Sequence, residues 1–393
     1  MDTTMSDSIV ITAARRTAIG AFQGQFAPVS SPELGAAAIR AALKDSTISG
    51  DDVSEALMGC VLPAGTGQAP ARQAAVGADL PLSVGATTLN KVCGSGMKAV
   101  MLGHDAICAG SAEIVAAGGM ESMTNAPYLV KRGLRMGHDK LIDHMFFDGL
   151  QNPYDGEMMG GFGEKCAAKY DFTREQQDDF SRASVERANK ATENGLFANE
   201  IIPVTVKSRK GDVEVATDEE PGRINVDKIP NLRPAFAKDG TITAASSSKI
   251  SDGAAALLLM SADNAAQRGV QPLARIVAHA THSQEPEWFT TAPVGALKKV
   301  LERAGWSADE VDLYEINEAF ATVTMAAMHE HGLPHEKVNI HGGACALGHP
   351  IGCSGARILV TLIHALKTTG GKRGIASLCI GGGEATALAV EIA

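Results

Sequence analysis

The strongest constraint on this chain is that it repeats itself. "ISGDDVSEALMG" around Val53 resembles "WSADEVDLYEIN" around Val311, and "CGSGMKAV" around Ser95 resembles "CSGARILV" around Ser354. The two matches share one offset to within a residue, so the chain reads as two homologous halves. Apolar runs and amphipathic helical patterns alternate along them. Residues 9–13 predict a strand, 32–44 a helix with Ser31 as N-cap, 55–62 a strand, 93–109 a helix and 114–117 a strand. In the second half, residues 311–316 predict a strand followed by a helix. This alternation implies α/β architecture with a mostly parallel sheet.

The repeat also locates an insertion. Residues 375–379 turn through Gly381, Gly382 and Gly383 straight into residues 385–392, a tight hairpin, because consecutive glycines allow the positive φ that such turns demand. In the first half, "VAAGGMES" meets its partner strand "DGAAALLLM" only at Asp252. The expected division is therefore 1–122 with 249–272 as the first half, 123–248 as an inserted loop domain, and 273–393 as the second half. The insertion holds the basic residues Lys207, Arg209, Lys210, Arg223, Lys228 and Arg233, and it reads as a lid-like domain over the shared end of the sheets.

A net charge of −10 argues against a nucleic-acid binder. It leaves room for an anionic small molecule at the basic cluster, although a solvated loop face accounts for the same residues. No apolar run approaches the roughly 18 residues of a membrane span, so no membrane partner is expected. The first eight residues lack an apolar signal core, and the last three are not a peroxisomal tripeptide. Seven scattered cysteines, an odd number, suit a reducing cytoplasm better than a disulfide framework.

Four segments could carry chemistry. Cys93 lies where a strand enters a glycine-rich turn and a helix, so free backbone N–H groups and the helix dipole would favour its thiolate and could hold an oxyanion; a buried structural cysteine is the plain alternative. His349 lies in the equivalent loop of the second half and could be a base for a thiol, or a capping or core histidine. Cys379 ends a core strand facing the glycine hairpin. Asn317, at a strand-to-helix junction, could cap the helix or orient a water or substrate oxygen. Cys345, His349 and Cys353 have the spacing of metal ligands on one helix, but Pro350 and the surrounding glycines argue against a continuous helix, so no metal is expected there. The duplication would gather Cys93, His349, Asn317 and Cys379 at one sheet edge, where ligands of parallel α/β folds bind.

Taken in order, "VCGSGMKAV", "GGMESM", "NEAF", "GGACALGHPIGCSGARI" and "CIGGG" resemble the motifs of the thiolase family over essentially the whole chain, most closely its biosynthetic, acetyl-specific branch. The resemblance implies a thiolase fold: duplicated halves forming a five-layer α-β-α-β-α sandwich with an inserted loop domain. It implies a nucleophile at Cys93, its base at His349, a proton-shuttling second cysteine at Cys379, and a water-holding oxyanion-hole residue at Asn317. It further implies a second oxyanion hole from the N–H groups of Cys93 and Gly381. Arg223, Lys228 and Ser248 match coenzyme A-binding positions, and Met158, Met159 and Phe320 fall at the acyl pocket. Met158 stands where many relatives have histidine, which bears on chain length. The implied reaction condenses two acetyl-CoA into acetoacetyl-CoA and CoA, with no metal or redox cofactor, in a cytoplasmic homotetramer. A broader-chain 3-ketoacyl-CoA thiolase is the near alternative, and a metal-binding or non-catalytic acyl-CoA scaffold the remote one.

Overall fold

The computed structural model describes residues 8–133, 135–209 and 211–393; Lys210 of the basic cluster and the first seven residues lie outside the described residues. The first half forms β1 (Ile9–Thr17), α1 (Ser31–Ser46), β2 (Glu55–Gly59), α2 (Pro70–Gly77), β3 (Gly85–Leu89), α3 (Ser95–Cys108) and β4 (Ile114–Ser122). The segment that follows holds the short hairpin β5 (Tyr128–Leu129) and β6 (Ile142–Asp143), then α4 (Met159–Lys169) and α5 (Arg174–Glu193). Strand β7 (Ser251–Ser261) closes this half, and α6 (Ala262–Arg268) leads onward. The second half runs β8 (Ala274–Ser283), α7 (Ala292–Ala304), β9 (Leu313–Ile316), α8 (Ala321–His331), α9 (Ala344–Leu347), α10 (Ile351–Thr369), β10 (Arg373–Ile380) and β11 (Glu384–Ile392).

The repeat is visible in the pairing order, β9-β10-β11-β8-β1-β7-β4-β2-β3. The sheet is mixed, not mostly parallel as expected: β9–β10, β2–β3 and β2–β4 pair parallel, whereas β10–β11, β11–β8, β8–β1, β1–β7 and β7–β4 pair antiparallel. The reason is that the β10–β11 hairpin and its counterpart across the insertion reverse the chain in each half. From outer edge to seam, the first half reads β3-β2-β4-β7-β1. The second reads Val338, bridged to Tyr314, then β9-β10-β11-β8. Strands β1 and β8 join the halves through only two residue pairs, Val10 with Arg275 and Ile11 with Ala274. Apolar side chains on both faces then set the layers. Leu34 and Ile39 of α1 pack on Met58, Leu258 and Met260 outside the first half-sheet. Leu297 and Val300 of α7 pack on Ile375 and Ala387 outside the second. Between the half-sheets, Met97 and Val100 of α3 and Leu359 and Leu362 of α10 meet Leu257 and Leu259 from one half and Ala376, Leu378 and Leu388 from the other. This is the five-layer order.

The middle layer depends on two glycines at the repeat offset. A Cβ on Gly96 would sit 2.8 Å from the backbone nitrogen of Ala356 and 3.0 Å from the carbonyl oxygens of Gly352 and Cys353. A Cβ on Gly355 would press on the backbone of Met97. Helices α3 and α10 therefore cross backbone to backbone near their N-termini, where only glycine fits.

Several predicted boundaries move for local reasons. The N-cap of α1 is Ser30, not Ser31: Ser30 Oγ accepts from the Glu33 N–H, and the Glu33 carboxylate accepts the Ser30 N–H at 2.9 Å. Strand β2 stops at Gly59 because the N–H groups of Val61 and Leu62 turn to the buried Glu121 carboxylate at 3.0 and 3.1 Å. Helix α3 starts at Ser95 because Val92 takes a left-handed φ of 46°. The inserted segment is clamped to the framework. Buried Arg16 at the end of β1 donates to Glu200 at 2.6 Å and in a two-pronged pair to Asp218 at 2.7 and 2.9 Å. Among the described residues no helix is long and apolar enough to cross a membrane.

Replacing Gly355 by Ala is expected to lower stability by about 1–3 kcal/mol, because packed backbones must separate. Gly222→Ala, where a Cβ would meet nothing within 4 Å, is the control. Chemical denaturation of both variants checks this; equal midpoints would contradict the backbone contact.

Candidate active site

The two glycine-tight helix starts bring two loops to one sheet edge, and each loop is held by the same device. Ahead of α3, Ser95 Oγ donates to the Val92 carbonyl at 2.6 Å and accepts the Lys91 N–H at 2.8 Å, which fixes the turn carrying Cys93. Ahead of α10, Ser354 Oγ donates to the Pro350 carbonyl at 3.0 Å and meets His349 Nδ1 at 2.5 Å. With the hydroxyl proton committed to Pro350, Ser354 accepts from Nδ1–H. That leaves the lone pair of His349 on Nε2. The His349 backbone N–H donates to the Lys249 carbonyl at 2.9 Å, so the end of the inserted segment braces the same loop.

The hairpin between β10 and β11 supplies the third wall. Gly382 and Gly383 have φ of 94° and 88°, as the glycine run predicts. The N–H groups of Gly381 and of Cys93 itself face the Cys93 sulfur. Cys379, at the end of β10, is fully buried among Phe162, Phe320 and Met159. Asn317 follows β9, with its N–H on the Ser377 carbonyl at 3.0 Å and its Nδ2 3.5 Å from either ring nitrogen of His349. It does not cap α8, whose N-cap is Phe320 without a side-chain bond, so the capping reading is withdrawn.

A cavity of about 180 Å³ opens beside His349, lined by Met158, Met159, Phe320, Ser248, Met123 and Ile351 among others. All three expected acyl-pocket residues and one expected coenzyme A contact thus share it with the histidine. Arg223 and Lys228 do not reach it. Both are exposed on short 3-10 turns, and Arg223 pairs with Glu219 at 3.2 Å. Cys345, His349 and Cys353 do not converge as metal ligands: Cys345 lies in α9, Cys353 in α10, and the Cys345 sulfur turns to the Glu318 carbonyl at 3.7 Å.

Burial reverses one expectation about charge. It pushes the Cys93 thiol up to about 11, and the N–H groups of Gly381 and Cys93 pull the other way without overcoming it. Cys93 rests as a thiol, not as the thiolate that the helix start suggested. Burial, aided by the Arg357 charge, pushes His349 down to about 3, so the imidazole is neutral and able to accept a proton. Burial and the neighbouring Cys93 hold Cys379 well above the ordinary thiol value.

Three residues escaped the sequence reading. Ser354 fixes the histidine tautomer, and its place as repeat partner of Ser95 was the clue. Glu318, beside Asn317, accepts from Ser184 at 2.7 Å, Asn339 at 2.9 Å and the Cys345 N–H at 3.0 Å, tying three segments beneath the site. Glu121 accepts the N–H groups of Val61, Leu62 and, at 2.8 Å, Gly352, bridging the halves. No chemical motif marks these last two as buried brackets between segments.

A thiol, a neutral imidazole of fixed tautomer and paired N–H donors beside an apolar pocket, set in a duplicated five-layer fold, define a cysteine-dependent acyl-transfer protein. Residues 9–263 match the model for the thiolase N-terminal domain and residues 270–392 that for the thiolase C-terminal domain. The chain belongs to the thiolase family. It is 49% identical to an acetyl-CoA acetyltransferase of Pseudomonas aeruginosa over 385 residues, covering 97% of this chain and 98% of the relative. It is 48% identical to acetyl-CoA acetyltransferase 2 of Arabidopsis thaliana, covering 98% and 97%. The crystal structure of the Bacillus anthracis acetyl-CoA acetyltransferase superposes with a TM-score of 0.96 at 41% identity, covering 98% of this chain and 99% of that one. The Acat5 thiolase of Ascaris suum, solved in complex with coenzyme A, superposes at 0.94, also at 41% identity, covering 98% and 100%.

The protonation states fix a pH profile. His349 loses base function only as pH falls toward about 3, and Cys93 loses its proton only as pH rises toward about 11. The kcat/KM for acyl transfer to the free enzyme should therefore stay level across the neutral range. An acid limb centred at the ordinary imidazole value of 6.5 would contradict it.

Proposed function

We propose that this chain is an acetyl-CoA C-acetyltransferase, condensing two acetyl-CoA into acetoacetyl-CoA and free CoA, reversibly, through an acetyl group on Cys93. The observation that carries this reading is that Cys93, faced by the Gly381 N–H, packs against the cluster holding Met123 and Ile351, two residues that line one small apolar cavity together with a neutral, Ser354-held His349. The related acetyltransferases, similar over nearly their whole length, support it and do not favour the broader-chain thiolase.

In the first half-reaction His349 Nε2 takes the Cys93 proton and the sulfur attacks the acetyl carbonyl. The oxyanion faces the N–H groups of Cys93 and Gly381, which are in place before charge develops. The departing CoA sulfur takes the Cys379 proton. The Cys379 thiolate then removes a methyl proton from the second acetyl-CoA, and the enolate oxygen is met from the side of His349 and Asn317. The enolate carbon attacks acetyl-Cys93. Collapse releases acetoacetyl-CoA, and the Cys93 sulfur recovers its proton from His349. Each proton moved in one half returns in the other, so no redox partner or metal is needed.

Ser248 on the cavity wall suits contact with the pantetheine arm, and exposed Arg223 and Lys228 suit the nucleotide phosphates by long-range attraction. Seven unpaired cysteines support a reducing, cytoplasmic setting. Two features support a homotetramer. Hairpin β5–β6 and its connection expose Tyr128, Val130, Met136 and Leu141, and β3 is an outer sheet edge.

The cavity is small for an acyl tail, even with the adaptable Met158 in place of histidine. Purified enzyme should form acetoacetyl-CoA from acetyl-CoA. Its thiolysis kcat/KM should fall roughly tenfold or more from acetoacetyl-CoA to the six- and eight-carbon 3-ketoacyl-CoAs. Equal efficiency across these lengths would move the assignment to the broader thiolase.

A further inference from the structure

The last turn of α3, at the far end of the helix that follows Cys93, carries His104, Asp105 and Cys108, and His279 of β8 reaches the same point. One carboxylate oxygen serves both rings. Asp105 Oδ1 is 3.1 Å from His104 Nδ1 and 2.9 Å from His279 Nε2, and the rings lie edge to face with centroids 5.0 Å apart. We propose that His104, Asp105 and His279 form a binding site for one divalent transition-metal ion of the zinc class, separate from the catalytic centre, which staples α3 to the second half.

Three physical arguments support the site. The ligating atoms of the three residues all lie within 4.8 Å of one another. Two imidazole nitrogens and a carboxylate oxygen, each about 2.0–2.2 Å from zinc, need only a small opening of these contacts, with the ion taking the place of the shared protons. Helix geometry adds to this. His104 and Asp105 sit near the C-terminal end of α3, where the negative end of the helix dipole favours a cation. The cluster also spans two rigid elements and stays accessible: the His279 side chain is 16% exposed and the Asp105 side chain 50%. The opposing charges nearby are Lys98, whose field reaches His279 and also acts on Glu384, and Arg303, whose Nη1 donates to the His279 carbonyl at 2.6 Å. Water takes the fourth position. The Cys108 sulfur, 3.9 Å from either nitrogen of His104, borders the cluster without being required.

The test titrates zinc ion into metal-free enzyme by calorimetry, comparing the natural chain with His104→Gln/His279→Gln and with Asp105→Asn. The catalytic cysteines are present in every variant, so zinc held by thiols stays constant across the comparison. The natural chain should bind one equivalent more than the double variant, and zinc should raise its Tm but not that of the variant. Asp105→Asn should weaken that equivalent roughly tenfold or more. Both variants should keep full acyl-transfer activity in metal-free buffer, which establishes that they fold. Identical zinc stoichiometry in the natural chain and the active double variant would overturn the proposal. So would loss of the same equivalent on His329→Gln, whose ring packs against Tyr170 instead.

Discussion

Everything at the reactive edge depends on the backbone contact between α3 and α10. Gly96 faces the backbone of residues 352–356, and Gly355 faces Met97, with no room for a Cβ on either side. The duplication makes this contact symmetric in kind: each half supplies a helix start, a glycine that lets the other approach, and a serine that locks the preceding loop. Chemistry breaks the symmetry. One loop carries Cys93 and the other His349, and the roles proposed for them, nucleophile and base, require the helices to cross there.

Burial then sets how the pair can work. Both groups rest neutral, so the site avoids holding an ion pair in a desolvated place before substrate arrives. In the proposed reaction charge appears beside the Cys93 sulfur, which N–H donors already face. Buried carboxylates elsewhere are spent on structure. Glu121 collects backbone N–H groups from both halves, Glu318 ties the Ser184 and Asn339 side chains to the Cys345 N–H, and Glu200 and Asp218 hold Arg16 and with it the inserted segment. Rigid brackets of this sort keep a reaction centre in register better than apolar contact alone, because hydrogen bonds are directional.

Much of this was legible in the sequence, for a physical reason. A repeat of motifs at one offset reports paired structure directly, and it located the β10–β11 hairpin and the distant pairing of β4 with β7. What the sequence hid was side-chain direction. The choice of Ser30 over Ser31 as cap, the end of β2 at Gly59 and the role of Ser354 are all decided by which backbone N–H or ring nitrogen an oxygen meets. The state of Cys93 was misread because a helix start is visible in sequence while burial is not. Arg223 and Lys228, placed by resemblance, lie apart from the cavity, and Arg223 pairs with Glu219.

The central claim is that two cysteines at one centre divide the work, Cys93 carrying the acyl group and Cys379 only the proton. Intact-mass analysis with peptide mapping, after incubating Cys379→Ala with acetyl-CoA, tests this most directly. The account predicts one acetyl group per chain, on Cys93, with condensation and thiolysis lost. An acetyl group mapped to another residue, or robust turnover in Cys93→Ala, would contradict it.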